Sequence, residues 1–383
     1  MARNARNRPA MSARPVVMYL GGFAKVGGIE AFARDFLLGI AAAYPRRELV
    51  IWGRAGRDNR LLEEIGQSGA KISRSPWRWG CLWNLPDLAL APMGAGAVRR
   101  ASVVIFKRPP PPSVMRVLRR AGGRGRRRIP FVLITPYRPA EYWAPSTKTV
   151  LDDFDVITVQ SREGIDDLKK LGYRGRSEEI PLLPPVMVEP APFPCTRDGS
   201  LIRLGFLGRL VAQKNLGYLL EIYQRLVEIS GDEFRFELHL FGDGAERAQL
   251  EAVTAKRALS GVIFHGDVPR EKTPAAIDTC DLFLNTSRTE GQCLAALEIL
   301  GRGRPLVATP VGALPEVLAQ PALGRLAPLD DAPAFAASVL EIVREIRAGH
   351  LTPSSVATAF ARQYDYRNVL QRYLDLLADV AQN

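Results

Sequence analysis

Residues 204–244 read LGFLGRLVAQKNLGYLLEIYQRLVEISGDEFRFELHLFGDG. Leu204–Leu207 is a short apolar run that predicts a strand. Leu216–Ile229 carries apolar residues at helical spacing, and Phe236–Phe241 predicts a second strand. A buried strand, a helix and another buried strand form the pattern of a parallel crossover. The pattern continues beyond this stretch. Ala245–Leu259 predicts a helix, Val262–Phe264 and Leu282–Leu284 strands, Cys293–Leu300 a helix and Leu306–Ala308 a strand. Residues 201–364 are therefore expected to form one doubly wound α/β domain.

The same alternation precedes it. Val16–Leu20, Leu49–Trp52, Val103–Phe106, Phe131–Ile134 and Val156–Val159 predict strands, and residues 27–43 predict a helix. This places a second domain of the same class at 1–185, with 1–14 expected to be disordered. Between them, residues 186–200 continue a proline-rich run that suits neither a helix nor a central strand and reads as a semi-rigid linker. The tail, 365–383, has one apolar stripe (Val369, Leu370, Tyr373, Leu374, Leu377). It predicts a helix packed back toward the first domain.

Composition bounds the function. The chain of 383 residues has 47% hydrophobic and 24% charged residues, the balance of a soluble globular protein. Its four cysteines form no CxxC pair, which predicts neither zinc nor a disulfide framework and points to a reducing compartment. The basic N-terminal stretch is followed by no apolar leader core, and no stretch reaches the ~18 apolar residues needed to cross a bilayer. The net charge of +12 is uneven: residues 1–130 hold 25 Lys/Arg against 7 Asp/Glu, and the remainder is net negative. Such a basic field attracts polyanions.

Several short signatures sit where strands end. Gly208-Arg209 closes one strand, and Lys214 opens the next helix. Two cations on one such turn can clamp a diphosphate. Glu290-Gly291 precedes a helix whose first amides, Gly291 to Leu294, suit an anion. Glu290 can accept from sugar hydroxyls, and Glu298, deeper in that helix, from a ribose. Gly242 and the His265-Gly266 pair mark further turns, where backbone can approach a nucleobase. The loop Gly21 to Glu30 is rich in glycine but is not GxGxxG, so nicotinamide or flavin binding loses its main support. Asp153-Phe154-Asp155 leads into a strand and reads as structural.

These residues together resemble the retaining glycosyltransferases of family four, the GT-B type. The matching text is GGIE at 27–30, GRLVAQKN at 208–215, FGDG at 241–244, FHGDV at 264–268, EGQCLAALE at 290–298 and GRPLVATPVGALPEVL at 303–318. The resemblance implies two tandem Rossmann-like domains facing a central cleft. It also implies transfer of a sugar from a UDP- or GDP-sugar to a glycan or lipid-linked acceptor, with no metal or other cofactor. By position, Arg209 and Lys214 would hold the donor diphosphate and Glu298 the ribose. Glu290 would contact the sugar, helped by the backbone of Gly291, Gln292, Cys293 and Leu294. Gly208, Gly242 and His265 would line the donor site, and Gly27 and Gly28 would border phosphate and acceptor.

One departure stands out. Family members commonly place a histidine after the strand corresponding to 129–135. This chain has Thr135-Pro136-Tyr137-Arg138 there and no histidine before His239. Tyr137 or Arg138 is expected to take over the missing contact, unless the donor sugar lacks the hydroxyl concerned. The alternatives are an inactive scaffold that binds a nucleotide-sugar and a nucleic-acid binder using the basic half, for which no recognition motif is present. Trp77, Trp79 and Trp83 with nearby arginines, and the arginine-rich run to Arg128, suit an anionic membrane surface. The expected location is the cytoplasm, at the inner face of the membrane.

Overall fold

The computed structural model describes residues 15–22, 28–45, 48–54, 71–74, 95–123, 128–136, 138–139, 143, 145–194 and 200–382. Gly27, Tyr137, the tryptophan-rich stretch and the expected disordered start lie outside these residues. The chain divides into two compact units, 1–183 with 367–383, and 184–366.

The first unit is built from β1 (Val16–Gly22), α1 (Gly28–Ala43), β2 (Glu48–Arg54), β3 (Lys71–Arg74), β4 (Val103–Phe106), α2 (Pro112–Ala121), β5 (Phe131–Ile134), β6 (Val156–Val159), α3 (Arg162–Lys170) and β7 (Arg176–Glu179). The seven strands lie in the order β3-β2-β1-β4-β5-β6-β7. All neighbours are parallel. β4, β5 and β6 are buried at every position, as their apolar sequences, broken only by Thr158 in β6, require of strands covered on both faces. Asp155 pins the entry to β6. It accepts from the Phe131 amide at 2.7 Å and pairs with Arg119 at 2.8 Å and Arg128 at 3.0 Å. The Asp-Phe-Asp triplet is thus a structural clamp. The C-terminal helix, Tyr366–Gln382, packs on α1, where the Tyr373 ring meets Phe36 edge-on at 5.1 Å and Leu370 rests against Gly39.

The second unit runs β8 (Leu201–Leu207), α4 (Leu216–Ser230), β9 (Arg235–Phe241), α5 (Arg247–Lys256), β10 (Val262–Gly266), α6 (Thr273–Asp278), β11 (Leu282–Asn285), α7 (Leu294–Gly301), β12 (Leu306–Ala308), α8 (Leu314–Val317), β13 (Gly324–Leu326), α9 (Ala332–Arg347) and α10 (Pro353–Gln363). Its six parallel strands lie in the order β10-β9-β8-β11-β12-β13. The proline-rich stretch has no regular secondary structure over 180–194. Its Ala191 and Pro192 carbonyls each accept from the fully buried Arg304 guanidinium at 2.8 Å, which ties them to this unit.

Candidate functional site

The chain leaves β8 toward β9 on one side and later returns to β11 on the other. The order of connection therefore reverses between β8 and β11. In an open parallel sheet this reversal parts the loops at the carboxyl ends of the two strands and leaves a crevice for a ligand. The loops that border it are 208–215 and 286–293, the two that carry the sequence signatures.

These loops are joined to each other. Thr286 Oγ1 donates to the Lys214 carbonyl at 2.9 Å, the Arg288 amide to the Gln213 carbonyl at 2.9 Å, and Gln213 Nε2 to the Thr289 carbonyl at 2.7 Å. Asn215, left-handed at φ 54°, turns the first loop into α4. The result brings Lys214 Nζ onto Glu290 Oε1, although 75 residues separate them in the chain. Both side chains are largely buried, with 14% and 7% of their surface exposed.

Glu290 is held from several sides. Its Oε1 also accepts from Ser287 Oγ at 2.7 Å and from Asn285 Nδ2 at 3.5 Å. Asn285 is itself fixed, because its Oδ1 accepts from the Ser287 amide at 3.0 Å and its Nδ2 reaches Cys293 Sγ at 3.2 Å. Beneath the loop, Thr309 Oγ1 donates to the Ser287 carbonyl at 2.6 Å. Gly312, at φ 60°, lets the next loop lie against the Glu290 and Gly291 carbonyls, where a Cβ would come within 2.3 Å. Burial pushes the Cys293 thiol up to about 12, which leaves it a packing and hydrogen-bonding group rather than a nucleophile. Asn285 and Ser287 carry no motif signal, and Thr309, inside the matching stretch 303–318, is not marked there as a support of the Glu290 loop. The only hint was that Asn285-Thr-Ser follows a fully apolar strand without a glycine or proline break.

The charge balance follows from these contacts. Lys214 is neutralised by Glu290. Arg209 is exposed, and its side chain has no hydrogen bond or ion pair with any described residue. Among the described residues of these two loops, Arg209 is thus an uncompensated cation. On the other wall, the amides of Gly291 to Leu294 lead into the N-terminus of α7. The Gln292 and Cys293 side chains are buried, so backbone is what this segment can offer a ligand. Glu298 lies half-buried, one turn along α7.

Gly208, Gly242 and Gly266 continue the crevice edge across three strand ends. The Gly208 amide donates to the Phe241 carbonyl at 2.9 Å, and the Gly242 amide to the Gly266 carbonyl at 2.8 Å. Gly242 has φ 138°, and a Cβ there would stand 1.9 Å from the Gly208 carbonyl oxygen. The atom in the way is backbone and cannot swing aside. Gly242→Ala is therefore expected to destabilise the chain by at least about 2 kcal/mol. A lowered midpoint in urea unfolding checks this.

Residues 202–345 match a family model described as Glycosyl transferases group 1. This part of the chain, about 38% of its length, is thus similar to that family. Among curated relatives, the 2-deoxystreptamine glucosyltransferase of Streptomyces kanamyceticus is 30% identical over 29% of this chain and 28% of its own length. The amylovoran biosynthesis glycosyltransferase AmsK of Erwinia amylovora is 31% identical over 37% of this chain and 36% of its own. The chain thus spans about a quarter to a third of these relatives. The fold is shared more widely. The crystal structure of Anabaena HepE in complex with UDP and glucose aligns with 95% of this chain and 100% of its own at a TM-score of 0.71 and 16% identity. The lipopolysaccharide outer core galactosyltransferase WaaB aligns with 96% of this chain and 100% of its own at 0.72 and 16%. The architecture is GT-B, two tandem doubly wound parallel sheets, as the motifs implied.

Within this matched region, His265 is paired with a second histidine. Its Nε2 lies 2.9 Å from Nδ1 of His239, and the ring stacks on Phe241 with centroids 4.4 Å apart. Burial lowers the pKa of both imidazoles from 6.5, and the paired His239 lowers that of His265 further. Just below pH 6.5 the unfolded chain then binds protons that the folded chain does not. Stability is complete above that pH and falls as pH drops through the window. Chemical denaturation at stepped pH is expected to show this loss, and His239→Phe to flatten it.

The first-unit expectations fare differently. Gly28 is the first residue of α1. The Arg138 guanidinium is spent on α3, where it meets both carboxylate oxygens of the buried Asp167 at 3.2 Å and Glu163 at 2.9 Å. Thr135, at the end of β5, is fully buried.

Proposed function

We propose that the chain is a retaining glycosyltransferase that moves a sugar from a UDP- or GDP-sugar to a glycan or lipid-linked acceptor. The observation that carries this reading is the cluster at the β8/β11 switch point, where the Lys214–Glu290 pair sits beside the unpaired Arg209 and the amides leading into α7. A diphosphate at this edge would meet Arg209, Lys214 and backbone N–H groups, which neutralise the leaving group without a metal. In this reading Glu290, fixed by Ser287 and Asn285, would accept from sugar hydroxyls, and Glu298 from the ribose. In the transfer step, the bond from the sugar's anomeric carbon to the phosphate oxygen breaks. The acceptor oxygen bonds that carbon from the same face, and its proton passes to the leaving phosphate oxygen. The names of the curated relatives, which are glycosyltransferases, and the UDP bound in HepE support the class.

Among the described residues no helix is long and apolar enough to cross a membrane. Attachment to an anionic inner membrane face is part of the proposal and rests on the basic bias of residues 1–130. Thermal-shift screening against UDP- and GDP-sugars, followed by transfer to lipid-linked acceptors, tests the reading. At a hundredfold excess over its dissociation constant, a donor stabilises the chain by about 2.7 kcal/mol. No shift with any donor would refute donor binding, and a shift without transfer would identify a binding scaffold.

A further inference from the structure

The end of the crevice farthest from Lys214 holds a polar chain that the donor-site motifs do not explain. Glu237 and His239 alternate on β9, and the parallel register sets β10 beside them, bringing in His265. Glu237 Oε2 lies 3.3 Å from His239 Nε2, and His239 Nδ1 lies 2.9 Å from His265 Nε2. The two imidazole planes differ by 13°. A hydrogen bond between ring nitrogens lies in the ring plane, so the rings are edge to edge and nearly coplanar. Phe241 backs the His265 ring, which is exposed, whereas His239 is 8% exposed.

Proton placement along this chain has one consistent solution when both rings are neutral. Glu237 is a carboxylate paired with Arg203 at 3.2 Å and can only accept. His239 therefore carries its proton on Nε2 and offers a lone pair at Nδ1. His265 must donate from Nε2, which leaves its Nδ1 as a lone pair. Nδ1 of His265 has no hydrogen bond with any described residue. The charged groups around the pair are Glu237 on β9, Arg203 on β8 and Arg247 beside Gly266. Burial favours the neutral rings that the relay needs.

We propose that Glu237, His239 and His265 form a relay that locks the His265 tautomer and presents its Nδ1 as an acceptor for an N–H on the edge of the donor's nucleobase. The proposal rests on the nucleotide-sugar reading above and adds the base-positioning residues. Position supports it. β11, β8, β9 and β10 are consecutive in the sheet, and three spacings of about 4.8 Å put β10 roughly 14 Å from β11. That is the reach of a diphosphate, a ribose and a base laid along the strand ends. The phosphate-binding charge lies at the β8/β11 end and the planar, hydrogen-bonding rings at the other.

The test uses the full chain and titration calorimetry with UDP, GDP and their ring-methylated forms, N3-methyl-UDP and N1-methyl-GDP. Methylation removes the edge N–H. The wild type is expected to bind its preferred nucleotide about tenfold more tightly than the methylated form, the worth of one hydrogen bond. His239→Phe keeps a ring against Phe241 but frees the tautomer of His265. It is expected to erase the preference, whereas a purely steric effect of the methyl group would survive. Nitrogen-15 NMR of the wild type gives a second readout, with Nε2 of His265 protonated and Nδ1 bare. Equal binding of both forms, a preference that persists in His239→Phe, or a proton on Nδ1 would overturn the relay while leaving donor binding intact. Failure of every nucleotide to bind would overturn both.

Discussion

Replacing Arg209 with alanine lowers the affinity for the donor about 10- to 100-fold and leaves the melting temperature unchanged. The two halves of this result have one cause. Arg209 is exposed and its side chain has no partner among the described residues, so its removal breaks nothing in the free chain. The neighbouring Lys214 is already neutralised by Glu290, so Arg209 is the charge that a diphosphate would meet uncompensated. A charge-assisted hydrogen bond is worth about 1.5–3 kcal/mol, which sets the expected range. Arg209→Lys retains the charge but loses the bidentate fork and falls between the two. The salt dependence of binding is expected to weaken in Arg209→Ala, because a fixed charge has left the site. Calorimetry at two salt concentrations measures both effects.

Glu290→Ala produces the opposite combination, with a large loss of turnover and a large loss of stability. The Lys214–Glu290 pair is mostly buried. Removing one partner strands the other charge and is expected to cost about 3–5 kcal/mol. Turnover is expected to fall at least 100-fold, because Glu290 would touch the sugar and is held in place by Ser287 and Asn285. Stability and function can be separated. The double variant Lys214→Met with Glu290→Ala removes the stranded charge and should recover most of the stability while remaining inactive. If the double variant regained turnover, Glu290 would be a structural residue only. Urea unfolding and single-turnover transfer read the two effects independently.

How far the sequence carried depended on whether a residue's signal was local. β4, β5 and β6 were legible because strands buried on both faces read as nearly continuous apolar runs. β7, Arg-Ser-Glu-Glu at 176–179, was not, because an edge strand pairs through its backbone and needs no apolar side chains. β13, three residues at the opposite edge of the second sheet, was missed for the same reason. In the site, Lys214 and Glu290 could be named from their motifs. Their ion pair, and the support from Asn285, Ser287 and Thr309, could not, because tertiary contacts join segments far apart in the chain. The His239–His265 pair depends on the register of two parallel strands, which short-range patterns do not encode. Arg138, expected to replace a missing histidine, is instead held by Asp167 and Glu163, whose carboxylates come from a helix that starts well downstream.

In the proposed complex a nucleotide-sugar lies along the strand ends of the second unit, from the β8/β11 switch point toward β10. Amide hydrogen exchange with and without a saturating UDP- or GDP-sugar tests it most directly, because it reads the position of the ligand without any substitution. Slowed exchange is expected at the amides of residues 208–215, 242–244 and 290–294, with protection extending to 265–266. A donor that binds tightly yet leaves all of these amides exchanging at their free rates would contradict it.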